Sequence, residues 1–148
     1  MDLKDIEHVA AQAGHLAVVT TSRDDGSIHA SVVSAGLLAH PLTGRQVLGL
    51  VAIGSSVKLR NLRRVPRATA VFRSGWEWVA LEGPASLIGP DDLLEGFDRT
   101  RLPQFLRDVF LAAGGTHDDW PTYDRVMAEE RRTAVLIEPA RIYGNRRA

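Results

Sequence analysis

Leu16-Ala17-Val18-Val19-Thr20-Thr21-Ser22-Arg23-Asp24-Asp25-Gly26-Ser27-Ile28-His29-Ala30-Ser31-Val32-Val33 reads as a strand, a turn and a second strand. β-Branched residues favour a pleated backbone on both flanks. The Asp-Asp-Gly between them is turn chemistry, with carboxylates that bond nearby backbone and a glycine free to take positive φ. The first two strands are therefore antiparallel neighbours, an order that belongs to barrels and sandwiches rather than to doubly wound sheets.

Upstream, Asp2 opens a helix with Ile6, Val9, Ala10 and Ala13 on one face and Gly14 as its stop. Downstream, the segment 41–44 is a second turn, and 46–53 is a third strand that Gly54 breaks. Ser55 or Ser56 is a natural N-cap for a short helix ending at Val65-Pro66. Strands over 68–72 and 77–83 are joined across Ser74-Gly75 as another hairpin, and 85–88 continues the second of them. Pro90-Asp91-Asp92 is expected to cap a helical region reaching about Ala113, which Pro103 interrupts or restarts. Asp118 or Asp119 caps a further helix through Arg131. A final strand over 133–138 and 141–143 is interrupted at Pro139. About six strands in hairpin order with helices between them give an α+β antiparallel barrel or sandwich. No G-x-G-x-x-G follows the first strand and no P-loop is present, so the dinucleotide-binding and NTPase readings lack their signature.

At 148 residues, of which 45% are hydrophobic, the chain (1–148) fits one domain with a real core. Eighteen basic and eighteen acidic residues cancel, so no whole-molecule field calls for a polyanion, and no nucleic-acid partner is expected. The absence of cysteine removes disulfides and thiolate metal sites. The N-terminus is charged and amphipathic rather than a signal peptide, and no apolar run nears the roughly 18 to 20 residues that cross a bilayer. A cytoplasmic protein without a membrane partner is the expectation.

The short helix carries the one placement that calls for a ligand. The chain has only two lysines, Lys4 and Lys58, and Lys58 falls in that helix's first turn. At about 100° per residue it projects into the stripe of Leu59, Leu62 and Val65, while Arg60, Arg63 and Arg64 fall opposite. A cation near a helix N-terminus opposes the macrodipole by about 0.3 to 1 kcal/mol unless an anion lies between them. Free backbone N–H groups, the serine hydroxyls and the ammonium together make a corner for phosphate. The plainer alternative is that Lys58 snorkels to water and Ser56 merely caps.

Other chemistries find less support. His8, His15, His29, His40 and His117 show no metal-ligand spacing, and no serine lies in G-x-S-x-G. No metal site and no catalytic side-chain constellation is assigned. Asp91-Asp92 and Asp118-Asp119 precede helical segments and read as caps rather than as general acids or bases. Trp76, directly after the Ser74-Gly75 turn, is a candidate stacking surface for a planar ring, whereas Trp78 alternates with Ala80 as a core position would.

Three blocks carry a family resemblance: K-L-R-N-L-R-R-V-P-R-A from Lys58, G-W-E-W-V-A-L-E-G from Gly75, and D-W-P-T-Y-D-R-V-M-A-E-E-R-R from Asp119. In this order they resemble the pyridoxamine 5′-phosphate oxidase-like split β-barrel proteins, and within them the branch that uses the deazaflavin coenzyme F420. The resemblance implies a six-stranded antiparallel split β-barrel of Greek-key type with flanking helices. It also implies a homodimer in which each barrel completes the other's cofactor cleft. Lys58 and Asn61 would hold the cofactor's phosphate region, with Arg60 beside them. Thr20, Thr21, Ser31, Val32 and Val33 would contact the ring or its side chain largely through backbone groups. Trp76 would approach from the partner, and the block from Asp119 would form part of a wall or of the dimer surface. Relatives often carry an arginine two residues before the lysine. Here that residue is Ser56, which donates one hydrogen bond but no charge, leaving Arg60, Arg64 or a partner arginine to compensate.

The activity implied is hydride transfer between F420 and a small conjugated substrate, with the cofactor carrying the chemistry and the protein positioning it. An FMN-dependent enzyme of the same barrel class and a non-catalytic cofactor carrier are the alternatives, with a nucleic-acid binder using the arginine face as a fourth.

Overall fold

The computed structural model describes residues 1–147. Helix α1 (Leu3–Gln12) begins at a reciprocal capping box in which the Asp2 carboxylate accepts from the Lys4 N–H and the Asp5 carboxylate accepts from the Asp2 N–H. Strands β1 (Leu16–Ser22) and β2 (Ile28–Ser34) form the hairpin read from sequence, in register from Leu16 opposite Ser34 to Ser22 opposite Ile28. Then come β3 (Gly36–Ala39), β4 (Gln46–Ala52), α2 (Val57–Arg64), β5 (Arg67–Ser74) and β6 (Glu77–Ile88). A 3-10 turn at Arg99–Arg101 leads into α3 (Leu102–Ala112), and α4 (Trp120–Glu129), β7 (Thr133–Ile137) and β8 (Arg141–Gly144) complete the chain.

The eight strands are antiparallel, along the path β2-β1-β5-β6-β7-β4-β3, with β8 beside β6. Strands β2 and β3 end this path, yet Ala35 alone links them in sequence. A one-residue link cannot span an open sheet, so the path curls into a barrel whose two ends meet without pairing. The barrel bends at Gly83-Pro84, where β6 leaves β5 for β7: Pro84 pairs in register with Arg67, and Ala85 with Ile137. Proline fits such a corner because no ladder donor is needed there, and its carbonyl accepts from the Glu138 N–H at 2.9 Å.

Two apolar layers follow. Inside the barrel, Val19, Leu48, Leu50, Phe72, Val79, Leu81, Val135 and Ile137 are closed off by Ile6 and Val9 of α1 and by Leu59 and Leu62 of α2. Each such side chain contributes about 1.5 to 3 kcal/mol by leaving water. Outside, Phe105, Leu106 and Val109 of α3 cover Val47, Ile88, Ala134 and Leu136. Strand β7 is therefore buried on both faces, which explains its unbroken apolar run.

The structure departs from the sequence expectations at three places. Among the described residues eight strands replace about six. The two additional ones, β3 and β8, are four residues each, too short to show alternation, and β8 pairs with β6 rather than prolonging β7 past Pro139. Asp91 and Asp92 do not cap a helix. Asp92 forms a two-pronged ion pair with Arg63 at 2.9 and 2.7 Å, and Asp91 does so with Arg131, so both carboxylates clamp the segment after β6 to its neighbours. The cap is Asp98, whose carboxylate accepts from the Thr100 N–H at 3.0 Å, and Pro103 sits in the first turn of α3, where its missing N–H is harmless. Finally, Ser56 occupies the N-cap position of α2, but its hydroxyl makes no capping bond. Asp119 does cap α4, accepting from the N–H and the hydroxyl of Thr122.

Candidate functional site

A cleft of about 430 Å³ opens beside the unpaired edge of β2. One side is the edge strand β2 at Val32, Val33 and Ser34. The floor is the end of β4 and the start of α2, at Val51, Ala52, Ile53, Ser56 and Lys58. The opposite wall comes from α3 and α4 through Phe110, Ala113, Tyr123, Met127 and Arg132. Its volume suits a small organic ligand.

Lys58 sits half-buried in this lining, on a helix whose Leu59 and Leu62 are locked in the core. Burial, and secondarily the Arg132 guanidinium, hold its ammonium below the usual lysine range. No carboxylate is in the lining, and among the described residues Lys58 forms no ion pair. The Ser56 hydroxyl is buried and has no hydrogen-bond partner among the described residues; the same holds for the Ser31 hydroxyl and for His29 Nδ1 on β2. An unmet buried donor or acceptor costs about 1 to 3 kcal/mol. The first N–H groups of α2 have no side-chain cap.

The helix start is held firmly. The Gly54 N–H donates to the Glu130 carbonyl at 3.0 Å, and a Cβ at Gly54 would lie 2.7 Å from the Arg131 carbonyl oxygen. Only glycine lets the β4–α2 turn approach the α4–β7 junction this closely.

The wall is rigid and aromatic. Tyr123 donates its hydroxyl to the Leu106 carbonyl at 3.0 Å, and burial pushes its phenol up to about 12. Its ring leans on Phe110 at 5.0 Å between centroids and meets Trp120 edge-on at 5.2 Å. Arg107 stacks over Trp120 while pairing with Asp124, tying α3 to α4.

Of the residues singled out from sequence, Val32, Val33, Ser56 and Lys58 line this cleft together. Asn61 is buried beneath them, donating its amide to the Thr21 hydroxyl at 3.1 Å, so these two stabilise the junction of α2 with β1 inside the barrel. Ser31 faces inward from β2, paired in register with Val19. Thr20 points to the outer face of the sheet, beside Thr69 and Glu82, in a separate shallow groove. Arg60 is exposed and outside the lining, and Trp76 is 94% exposed on the β5–β6 turn. Sequence reasoning did not single out Phe110, Ala113 or Val51. It placed Tyr123, Met127 and Arg132 only as part of a wall-forming block, because nothing local marks which face of α4 turns inward.

No family model matches this chain, and no curated protein sequence matches it. Solved structures do. A conserved hypothetical protein of Mycobacterium tuberculosis matches with a TM-score of 0.67 at 20% identity, over 97% of this chain and 84% of that one. A pyridoxamine 5′-phosphate oxidase-related, FMN-binding protein of Nostoc punctiforme matches with a TM-score of 0.61 at 13% identity, over 94% of this chain and 81% of that one. An F420 reductase also matches at 0.61 and 13%, over 90% of this chain and 94% of that one. The same fold occurs in a heme storage protein of Vibrio cholerae, with a TM-score of 0.58 at 10% identity, over 95% of this chain and 92% of that one. At these identities it is the architecture that is shared: the chain has the fold of the split β-barrel proteins to which the pyridoxamine 5′-phosphate oxidase-related and F420-reducing structures belong.

Proposed function

We propose that this protein is an F420-dependent oxidoreductase that moves a hydride between the deazaflavin and a small conjugated organic substrate, in a cleft completed by a second copy of the chain. One observation carries the reading: a Lys58 ammonium and a buried Ser56 hydroxyl, both without a partner among the described residues, lie together with an uncapped helix start in one cleft. A bound phosphate satisfies all three at once. Lys58 and Ser56 would hold that end. The free edge of β2 at Val32 and Val33 would offer backbone donors and acceptors to a polar ring. Val51, Phe110, Tyr123 and Met127 would exclude water from the reacting face. The deazaflavin, when bound, supplies the hydride chemistry. The Tyr123 hydroxyl, already donating to Leu106, is a wall rather than an acid.

The phosphate corner serves FMN equally well, and an FMN-binding protein shares the fold, so FMN is the second reading. Side-by-side titration separates them, since bound F420 absorbs near ~420 nm and FMN near ~450 nm. F420 is expected to bind more tightly and to turn over with a quinone or enone acceptor. Tight binding without turnover would make the protein a carrier, and no uptake of either molecule would remove the cofactor reading altogether.

A homodimer is part of the same proposal. Val32, Val18, Val71, Ala80 and Tyr143 line up across five strands on the outer face of the sheet. Among the described residues nothing covers this row at its β2 end, where Val32 is 66% exposed and Ile28 57%. Trp76, on its exposed turn, is free to reach the other copy's cleft. Sedimentation at micromolar concentration should give a two-chain species, and Val18→Arg should yield a monomer with weakened cofactor binding. A wild-type monomer would overturn the shared cleft.

A further inference from the structure

We propose that Arg132 is the second anchor for the bound phosphate ester, supplying from the α4–β7 junction the positive charge that Ser56 does not carry. The inference rests on the cofactor reading above, and it assigns a residue that the sequence had placed only in a block forming part of a wall or of the dimer surface. Arg132 lines the same cleft as Lys58 and Ser56. Of the candidates expected to compensate, Arg60, Arg64 or a partner arginine, the two in this chain are elsewhere: Arg60 is exposed outside the lining, and Arg64 is committed to Asp24 at 2.7 Å and to the Ser22 carbonyl at 2.6 Å.

The base of the Arg132 side chain is fixed. Its N–H donates to the Met127 carbonyl at 2.9 Å, and the next residue, Thr133, is fully buried at the start of β7. Gly54 ties the β4–α2 turn, four residues ahead of Lys58, to Glu130 and Arg131 in this same junction, next to Arg132. Glu130 meets the Arg132 guanidinium through a single oxygen, with Nε and one terminal nitrogen each at 3.0 Å. A guanidinium has five donors, so the remainder are available to a ligand. Glu130 engages Arg132 alone, and Lys58 has no acid of its own among the described residues, so an oxyanion between the two cations can accept from both.

Inorganic phosphate, FMN and F420 are titrated into protein whose lysines carry ¹³C-methyl groups. With only Lys4 and Lys58 in the chain, the Lys58 signal is read directly. Arg132→Gln should weaken phosphate, and whichever cofactor the wild type takes up, by about tenfold, close to the loss from Lys58→Gln. Glu130→Gln, which frees the guanidinium from its carboxylate, should tighten phosphate binding in the wild-type background and not in the Arg132→Gln background, a dependence that a merely structural Arg132 would not give. A folded Arg132→Gln protein that binds FMN or F420 as the wild type does overturns this inference and leaves the cofactor reading standing. Arg132-dependent phosphate binding by a protein that takes up neither cofactor upholds the two-cation site and removes that reading.

Discussion

Lys58→Met is expected to weaken cofactor binding by about 1.5 to 3 kcal/mol, a loss of about 10- to 150-fold, while raising the melting temperature of the ligand-free protein. Both effects have one source. The ammonium is half-buried beside Arg132, against the positive end of α2, with no acid in the cleft. It is unfavourable in the empty protein and favourable only when an anion arrives. Methionine keeps the apolar stem and removes the charge. The pH dependence follows in sign. Burial and Arg132 lower the folded-state value below that of the unfolded chain, so between the two values the unfolded chain holds more protons and stability rises with pH. The cost of Lys58 is therefore full at neutral pH and fades on the alkaline side, as does its hold on phosphate. Calorimetric melting of the empty proteins, paired with cofactor titration, checks both effects. A variant that neither gains stability nor loses affinity would mean that Lys58 is a surface cation with its head in water.

Much of this was legible in the sequence, for identifiable reasons. The β1–β2 and β5–β6 hairpins announce themselves through turn residues and β-branched flanks, which are local signals. The inward turn of Lys58 follows from helical periodicity against Leu59 and Leu62, which are fully buried. The roles of acidic residues were harder, because Asp is equally at home as a cap or as an ion-pair partner. Asp119 has Thr122 in the following turn to cap, whereas Asp91 and Asp92 are claimed by Arg131 and Arg63, which lie far away in sequence. Thr20 and Thr21 look equivalent in sequence but face opposite sides of the sheet, and only the Asn61 amide reveals which one is inside. Arg132 was hidden for the same reason: its meaning depends on a cleft assembled from β2, α2, α3 and α4, and no local pattern encodes that encounter.

The second large effect is on the wall of that cleft. Gly36→Ala is expected to destabilise the protein by about 3 kcal/mol, the upper end of the usual range for overpacking. Strand β3 approaches the C-terminus of α3 so closely that a Cβ on Gly36 would stand 1.8 Å from the Ala112 carbonyl oxygen and 2.5 Å from its carbon. These are backbone atoms, so no rotamer change relieves the clash. Either β3 shifts away from β4, to which Gly36 pairs opposite Gly49, or the last turn of α3 lifts off. Gly49 offers no slack, since a Cβ there would itself meet Leu38 at 2.6 Å. The helix end is the freer of the two, and it carries Phe110 and Ala113 into the cleft, so the variant should lose ligand affinity along with stability. Denaturant unfolding read by circular dichroism gives the stability change, and cofactor titration at low temperature, where the variant stays folded, gives the other. An unfolding midpoint equal to that of the wild type would show that α3 does not seat on β3, and the aromatic wall would then need a different support.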